Sequence, residues 1–332
     1  MAEPFLVRPL VAVVGGDTLL ARELRELLGE TKPAPRVELI SGVGEPLAPK
    51  EDENDEMVVM VPLAAASFEG AKVAFLAGSP ASSRKALKIV PKNTVLVDLT
   101  SALEEQPNAR LRAPFTEKER MKNLGAVQVI AHPAAIAIAM FLTRLSEIAP
   151  LRRSIIHVFE PASERGQKGL DELQQQNVAV LSFQKLKTDV FDTQLAFAML
   201  ARYGEEADEP LEGIENRVER HLASLLAQWN GIPMPSIRVI QAPVFHGHSF
   251  SAWVEFEENP GVEALQRALN GDGIDVRSDD PPTNIGVAGQ NGLSVGAITV
   301  DPNQPRACWF WMASDNFRLS AENAVAVMKE WV

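Results

Sequence analysis

The stretch that most restricts the fold is residues 10–41. An unbroken apolar run, LVAVV at residues 10–14, ends on Gly15-Gly16, as a strand buried on both faces of a parallel sheet does. Beyond the glycines, Leu20, Leu24, Leu27 and Leu28 recur on one helical face, with Arg22, Glu23, Arg25 and Glu26 on the other. Asp17 or Thr18 can cap that helix, Gly29 and Pro33 can end it, and RVELIS at 36–41 reads as a second strand. Strand, glycine turn, helix and strand make a βαβ unit, the opening of a Rossmann-type α/β domain.

The same turn is a poor seat for a dinucleotide. A cofactor loop needs glycines at fixed spacing so that the backbone can approach a pyrophosphate. Counting G-x-x-G-x-x-G from Gly15 lands on Thr18 and Ala21. Ala21 is a small change in helix packing, whereas Thr18 puts a Cβ where phosphates would pass. No acidic ribose ligand closes the second strand, which runs into Ser41-Gly42-Val43-Gly44. The expectation is a Rossmann-type half that holds no nucleotide.

Further along, VAFLAG at 73–78 and TVLVDLT at 94–100 read as strands, with a helix over 82–90 between them. The charged run at 50–56 reads as a solvated loop or hairpin tip, and 106–122 as charged and irregular. From residue 135 the rhythm changes. Helices are predicted over 135–148, 163–176, 218–229, 262–269 and 316–331. Strands are predicted over 154–159, 236–257 (broken near His246-Gly247-His248) and 307–314. Such alternation without βαβ regularity predicts an α+β second domain with an antiparallel or mixed sheet. The chain of 332 residues, 46% hydrophobic, suffices for two cores.

Charge and composition narrow the partners. A net charge of -12 argues against nucleic acid and against anionic membrane surfaces. No apolar run reaches the ~18 residues that span a bilayer. Residues 10–14 are too short for a signal-peptide core and lead to no cleavage motif. The single cysteine, Cys308, leaves neither an intrachain disulfide nor a cysteine-based zinc site. A cytoplasmic protein is expected.

One turn stands out for what it lacks. The strand-like AVQVI at 126–130 delivers the chain to AHPAAIAIAM at 131–140, a small-residue turn opening a helix. Backbone N–H groups and the positive end of the helix dipole at such a turn stabilise a thiolate and a developing oxyanion. No cysteine, serine or threonine stands in it.

Along essentially its full length the chain resembles the aspartate-semialdehyde dehydrogenase family. VAVVGG with its helix is similar to the family's VAVVGATG, FLAGS at 75–79 to SAGS, and VDLTSA at 97–102 to IDNSSA. SERGQKGLDELQQQ at 163–176 is similar to SGAGKAGMDEL, QAPVFHGHS at 241–249 to RVPVxxGHS, and SDNFR at 314–318 to SDNLRKGAA. The resemblance implies a Rossmann-type NAD(P)-binding-like domain, residues 1–131 with 315–332. It implies a second, α+β dimerisation domain of the semialdehyde dehydrogenase type over 132–314, and a homodimer. A family enzyme uses a cysteine nucleophile that forms a thioester, a histidine acid/base and NADP(H) as hydride carrier.

Carried over position by position, the resemblance implies losses. The family's N-P-x-C falls on His132-Pro133-Ala134-Ala135, so Ala135 stands in the nucleophile's place. The glutamine of YQAVSG falls on Glu160, the arginine that grips the substrate carboxylate on Gln241, the arginine that grips phosphate on Glu104, and the asparagine of IDNSS on Leu99. His248 remains as the acid/base. The nucleotide positions, Gly15, Thr18, Ala21 and Ser79, are a degraded set. A methyl group cannot form a thioester. Losing arginine where a dianion docks removes charge-assisted bonds worth ~1.5–3 kcal/mol each, and Glu104 adds repulsion. Cys308, inside an apolar strand, offers no substitute.

The expectation is therefore a binding or regulatory homodimer without aspartate-semialdehyde dehydrogenase activity, its partner an unknown small molecule or protein. No cofactor is expected, or NADP if nucleotide binding is retained. The alternatives are an enzyme of altered chemistry using Glu160 and His248 on an unknown small substrate, and a residual NADP-dependent semialdehyde oxidoreductase. His246 and His248, two apart in a strand-like run, are expected to share a face. The resemblance brings His248 near positions 132, 135 and 160. A cluster of His132, His246, His248 and Glu160 reads as a metal site or a Glu–His base, or as hydrogen-bonded residues filling an inactive cleft. Its spacing is not diagnostic of a metal, and no metal ligand is assigned. Trp309, Phe310 and Trp311 would show aromatic surface on both faces of one strand, so either both faces are buried or one faces a partner.

Overall fold

A computed structural model describes residues 8–45, 47, 50–51, 57–118 and 126–332. Most of the charged run, 52–56, and the stretch 119–125 lie outside the described residues; Lys50–Glu51 and Met57–Val58 pair as antiparallel strands on either side of the run. The chain divides into two compact units: Met1–Pro114 with Glu119–Ala131 and Ser320–Val332, and Phe115–Lys118 with His132–Leu319.

The first unit contains β1 (Leu10–Val14), α1 (Leu19–Glu30), β2 (Arg36–Ile40), β3 (Lys50–Glu51), β4 (Met57–Val58), β5 (Ala71–Leu76), α2 (Pro80–Ile89), β6 (Val95–Asp98), β7 (Ala109–Arg112) and β8 (Val127–Ile130). Six strands form one parallel sheet in the order β2-β1-β5-β6-β8-β7. Val11, Ala12, Val13 and Val14 are wholly buried, which explains the unbroken apolar run. Thr18 caps α1, accepting from Ala21 N, and the helix buries Ala21, Leu24, Leu27 and Leu28. Burying such leucines contributes roughly 1.5–3 kcal/mol each. The helix continues through Gly29. Its end comes at Thr31, whose N–H and hydroxyl both return to Leu28 O, so a side chain supplies the closure expected of the glycine.

Strand β7 lies inside the stretch expected to be irregular. Arg110 is exposed, but Arg112 is fully buried. It donates to Gln128 Oε1 at 3.0 Å and to both carboxylate oxygens of Glu330 at 2.9 and 3.0 Å.

The second unit contains α3 (Pro133–Ile148), β9 (Leu151–Glu160), α4 (Gly166–Leu181), α5 (Leu211–Leu226), β10 (Ser236–Gln241), β11 (His248–Phe256), α6 (Val262–Leu269), β12 (Ile274–Arg277), β13 (Leu293–Asp301) and β14 (Gln304–Ser314). Its sheet runs β10-β9-β11-β14-β13-β12. The inner pairs are antiparallel and the two edge pairs parallel, so the sheet is mixed. Phe310 is buried against Phe141 of α3 in an edge-on contact, ring centres 4.9 Å apart. On the other face, register aligns Ile155, Trp253 and Trp309 across three strands, and Ile155 and Trp309 are exposed.

The last helix, α7 (Asn316–Met328), belongs to both units. It starts at Asp315, whose carboxylate accepts from Arg318 N at 2.9 Å. From Ser320 onward it is part of the first unit, with Ala321, Ala324, Val325 and Met328 buried. Among the described residues, no helix is long and apolar enough to cross a membrane.

Candidate functional site

The candidate site is built at one end of the second unit, where α3 begins, β9 ends and β11 begins. His132 is the N-cap of α3. Its Nδ1 accepts from Ala134 N at 3.2 Å, and its own backbone N–H donates to Nδ1 of His221 on α5 at 2.9 Å. The His132 ring proton therefore sits on Nε2, which faces Glu164 Oε2 at 3.6 Å. Burial holds His132 well below the usual imidazole range, so it is neutral. Ala135 occupies the first turn of this helix, wholly buried.

Glu160 ends β9. Its Oε1 accepts from Arg165 Nη2 at 2.9 Å, while Oε2 lies 3.9 Å from His248 Nε2 without a hydrogen bond. Both residues are fully buried. Neither ring nitrogen of His248 has a partner, nor does Oγ of Ser314, its register neighbour on β14. The rings of His132 and His248 are 5.9 Å apart. Arg165 also donates to Glu209 at 2.7 Å, and Glu209 meets Arg217 at 2.6 Å. Burial opposes ionisation of Glu160, but the His248 imidazole and the Arg165 charge outweigh it and hold the carboxyl down to about 2. Burial raises the neighbouring Glu164 carboxyl.

Gln241, expected in the place of the family's carboxylate-binding arginine, is fully engaged. Its Nε2 donates to Glu160 O at 2.8 Å and Ala242 O at 3.1 Å, and its Oε1 accepts from the buried Tyr203 hydroxyl at 2.5 Å. Glu104 lies in the first unit, on the loop after β6. There its charge adds to the burial that raises the Asp98 carboxyl. Leu99, on the same loop, donates its N–H to Leu76 O.

The expected shared face of His246 and His248 is corrected by one residue. Gly247 takes φ +82 and a Cβ there would meet Asn284 O at 2.7 Å, so the chain turns and the strand begins only at His248. His246 is directed away from the cluster, with Nε2 3.0 Å from Asp315 Oδ2 and Nδ1 3.0 Å from Ser163 Oγ. With Asp315 accepting from Nε2–H, Nδ1 accepts the Ser163 hydroxyl, and Ser163 Oγ accepts from Asn316 Nδ2 at 3.2 Å. The order serine, histidine, aspartate is that of a hydrolytic triad, but this serine is wholly buried. Here the chain of bonds ties the β11 approach, the α4 approach and the start of α7 together.

Among the described residues, no group of three or more histidine, cysteine, aspartate or glutamate side chains is arranged to hold a metal ion. Cys308 is buried in β14, and burial raises its thiol.

The nucleotide turn is a feature of the first unit alone. The N–H groups of Gly15 and Gly16 both donate to Ile40 O, Thr18 N donates to Gly15 O, and Ala21 N to Thr18 Oγ1. The Thr18 hydroxyl bridges Gly15 O and Ala77 O at 3.0 and 2.9 Å. Ser79 caps α2, accepting from Ser82 N, and the Ser82 hydroxyl accepts from Val43 N at 2.8 Å. These donors are turned inward on the protein.

The sequence reading missed Glu164, Arg165, Glu209, Arg217, His221 and Tyr203. A signal existed for two of them. Glu164 and Arg165 stand where the similar helix start of the family carries glycine and alanine.

Residues 142–319, more than half of the chain, match the family model "Semialdehyde dehydrogenase, dimerisation domain". An aspartate-semialdehyde dehydrogenase of Rickettsia bellii is 24% identical over 97% of this chain and 97% of its own. A USG-1 protein homolog of Pseudomonas aeruginosa is 30% identical over 78% of each chain. The structure of a probable aspartate-semialdehyde dehydrogenase from Pseudomonas aeruginosa superposes with a TM-score of 0.86 at 26% identity, covering 97% of this chain and 98% of that one. The α/β fold, the buried strand ends and the collinear motifs agree with these likenesses, and the chain belongs to the aspartate-semialdehyde dehydrogenase family.

Proposed function

We propose that this chain is a family member without semialdehyde dehydrogenase turnover, acting as a ligand-binding or regulatory homodimer in the cytoplasm. The observation that carries the reading is Ala135: a methyl group stands in the first turn of α3, where the family places its thiol. Thioester chemistry has no electron pair to start from. Gln241, bound to Glu160 O, Ala242 O and Tyr203, supports the reading, since its amide is unavailable to a substrate carboxylate. The inward-turned donors around Gly15 and Thr18 support the absence of NADP. The matched dimerisation domain and the row Ile155, Trp253 and Trp309 support a homodimer through the second unit's sheet.

A second reading, an enzyme of altered chemistry, is favoured by one observation: Glu160 and His248 are buried together with unpartnered atoms, as general bases are. The deciding experiment follows NADP reduction with aspartate semialdehyde and phosphate. No rate above the protein-free background is expected. Turnover that disappears in His248→Asn would overturn the proposal.

A further inference from the structure

We infer that Asn230, in the turn between α5 and β10, is a site of covalent self-modification: its side chain is converted through a five-membered succinimide to aspartate and isoaspartate. The sequence holds three Asn-Gly pairs, at 230–231, 270–271 and 291–292. In each, the residue after the asparagine lacks a Cβ, so its backbone nitrogen can reach the amide carbon of the preceding side chain. Sequence alone ranks the three equally. The folded chain does not.

The attack needs a free side-chain amide, a free backbone N–H and room beside it. Asn270 Oδ1 accepts from Val276 N at 3.1 Å, and Gly271 N donates to Ile274 O at 2.8 Å, so both reacting groups are engaged in the turn before β12. Asn291 Oδ1 accepts from Arg318 Nε at 2.7 Å, and a Cβ at Gly292 would run into Gly273 O, so that pair is held and enclosed. Asn230 and Gly231 are both exposed, and neither makes a hydrogen bond among the described residues. Nothing lies within 4 Å of a Cβ built at Gly231.

In the reaction Gly231 N gives its proton to solvent base and bonds to Asn230 Cγ. The Cγ–Nδ2 bond breaks, and Nδ2 takes a proton from water and leaves as ammonia. Water then opens the ring at either carbonyl, so the net change is one water in and one ammonia out, with no oxidant or cofactor. The product adds a negative charge to a chain already at -12. The isoaspartate form also lengthens the backbone between α5, which carries Arg217 and His221, and β10, which ends on Gln241. The modification thus falls on the connection between two elements of the candidate site, uses none of its side chains, and is independent of the function proposed above.

The test incubates the full chain at neutral and at mildly alkaline pH, with and without denaturant, and follows each Asn-Gly peptide by digestion and mass spectrometry. Ammonia release and the mass difference between an amide and a carboxyl report conversion, and chromatography resolves the isoaspartate form. In the native chain, conversion at 230 is expected to outrun 270 and 291 by about ten-fold or more, because those side chains must first leave their hydrogen-bond partners. In denaturant the three should convert at similar rates. Asn230→Gln should remove most of the native ammonia release and the growth of an acidic form on isoelectric focusing. Equal rates at the three sites in the native chain, a faster rate at 270 or 291, or a silent 230 would overturn the inference. So would a ranking that survives denaturant, since it would trace to sequence and not to the fold. Conversion must also rise with pH, as loss of the Gly231 amide proton requires, and a rate that falls with pH would refute the mechanism.

Discussion

Glu160 and Arg165 form a buried ion pair at 2.9 Å, with side chains 0% and 15% exposed, joining the last residue of β9 to the residue that precedes α4. Two charges taken out of water together offset each other, but either one alone is costly. Arg165→Met should therefore destabilise the protein by about 3–5 kcal/mol. The double change Glu160→Gln with Arg165→Met should recover much of that loss. Urea unfolding of the single and double variants measures the coupling, and additive losses would show that the pair is not a unit.

Stability should fall on acidification in two stages. His132 is neutral in the fold because its affinity for protons is depressed, so the unfolded chain binds the extra proton below about pH 6.5. Its contribution is present above that pH and is lost as the pH drops. Glu160, held down to about 2, contributes stability present above roughly pH 5 and lost toward pH 2. Glu164 is shifted upward and works in the opposite sense. His132→Asn, which keeps a helix-capping side chain, should flatten the profile between pH 7 and 5. Denaturation midpoints measured across that range check it.

Restoring the thiol should not restore the reaction. Ala135→Cys places a nucleophile at the start of α3, but Gln241 remains bonded to Tyr203, and Glu104 falls where the resemblance expects an arginine. NADP reduction by Ala135→Cys is expected to stay at background. A measurable rate would mean that substrate anchoring survives without those arginines.

Thr18 is structural. Thr18→Ala removes the α1 cap and the bridge to Gly15 O and Ala77 O, and should cost about 1 kcal/mol. Calorimetric titration with NADP should show no binding before or after the change, because Gly15 and Gly16 still donate to Ile40 O. Micromolar binding by Thr18→Gly alone would show that the Cβ was the whole obstacle.

The parallel sheet was legible because its strands are apolar runs closed by glycine or by a helix cap. β1 and β2 fall where residues 10–14 and 36–41 place them. β7 was hidden because ARLR puts an arginine at every second position, and no local rule says that Arg112 is buried against Glu330. β12 and β13 escaped for other reasons: β12 is a four-residue edge strand that pairs only with β13, and the register of β13 on β14 is broken by an irregularity after Gly296. At the candidate site, His132, Glu160 and His248 come from motifs. Glu209, Arg217 and Tyr203 come from loops and a helix whose meeting is purely tertiary. His246 shows the limit of periodicity, since one glycine at positive φ turns the chain before the strand begins.

Helix α7 carries a consequence for how the chain is made. Its first residues belong to the second unit and its remainder to the first, so the second unit is an insertion within the first. Arg112 waits for a carboxylate 218 positions downstream. A ribosome releases the second unit's entire sequence before the first unit has its last piece. The stretch of the first unit made before the second unit therefore waits for residues 320–332 before its own packing is complete.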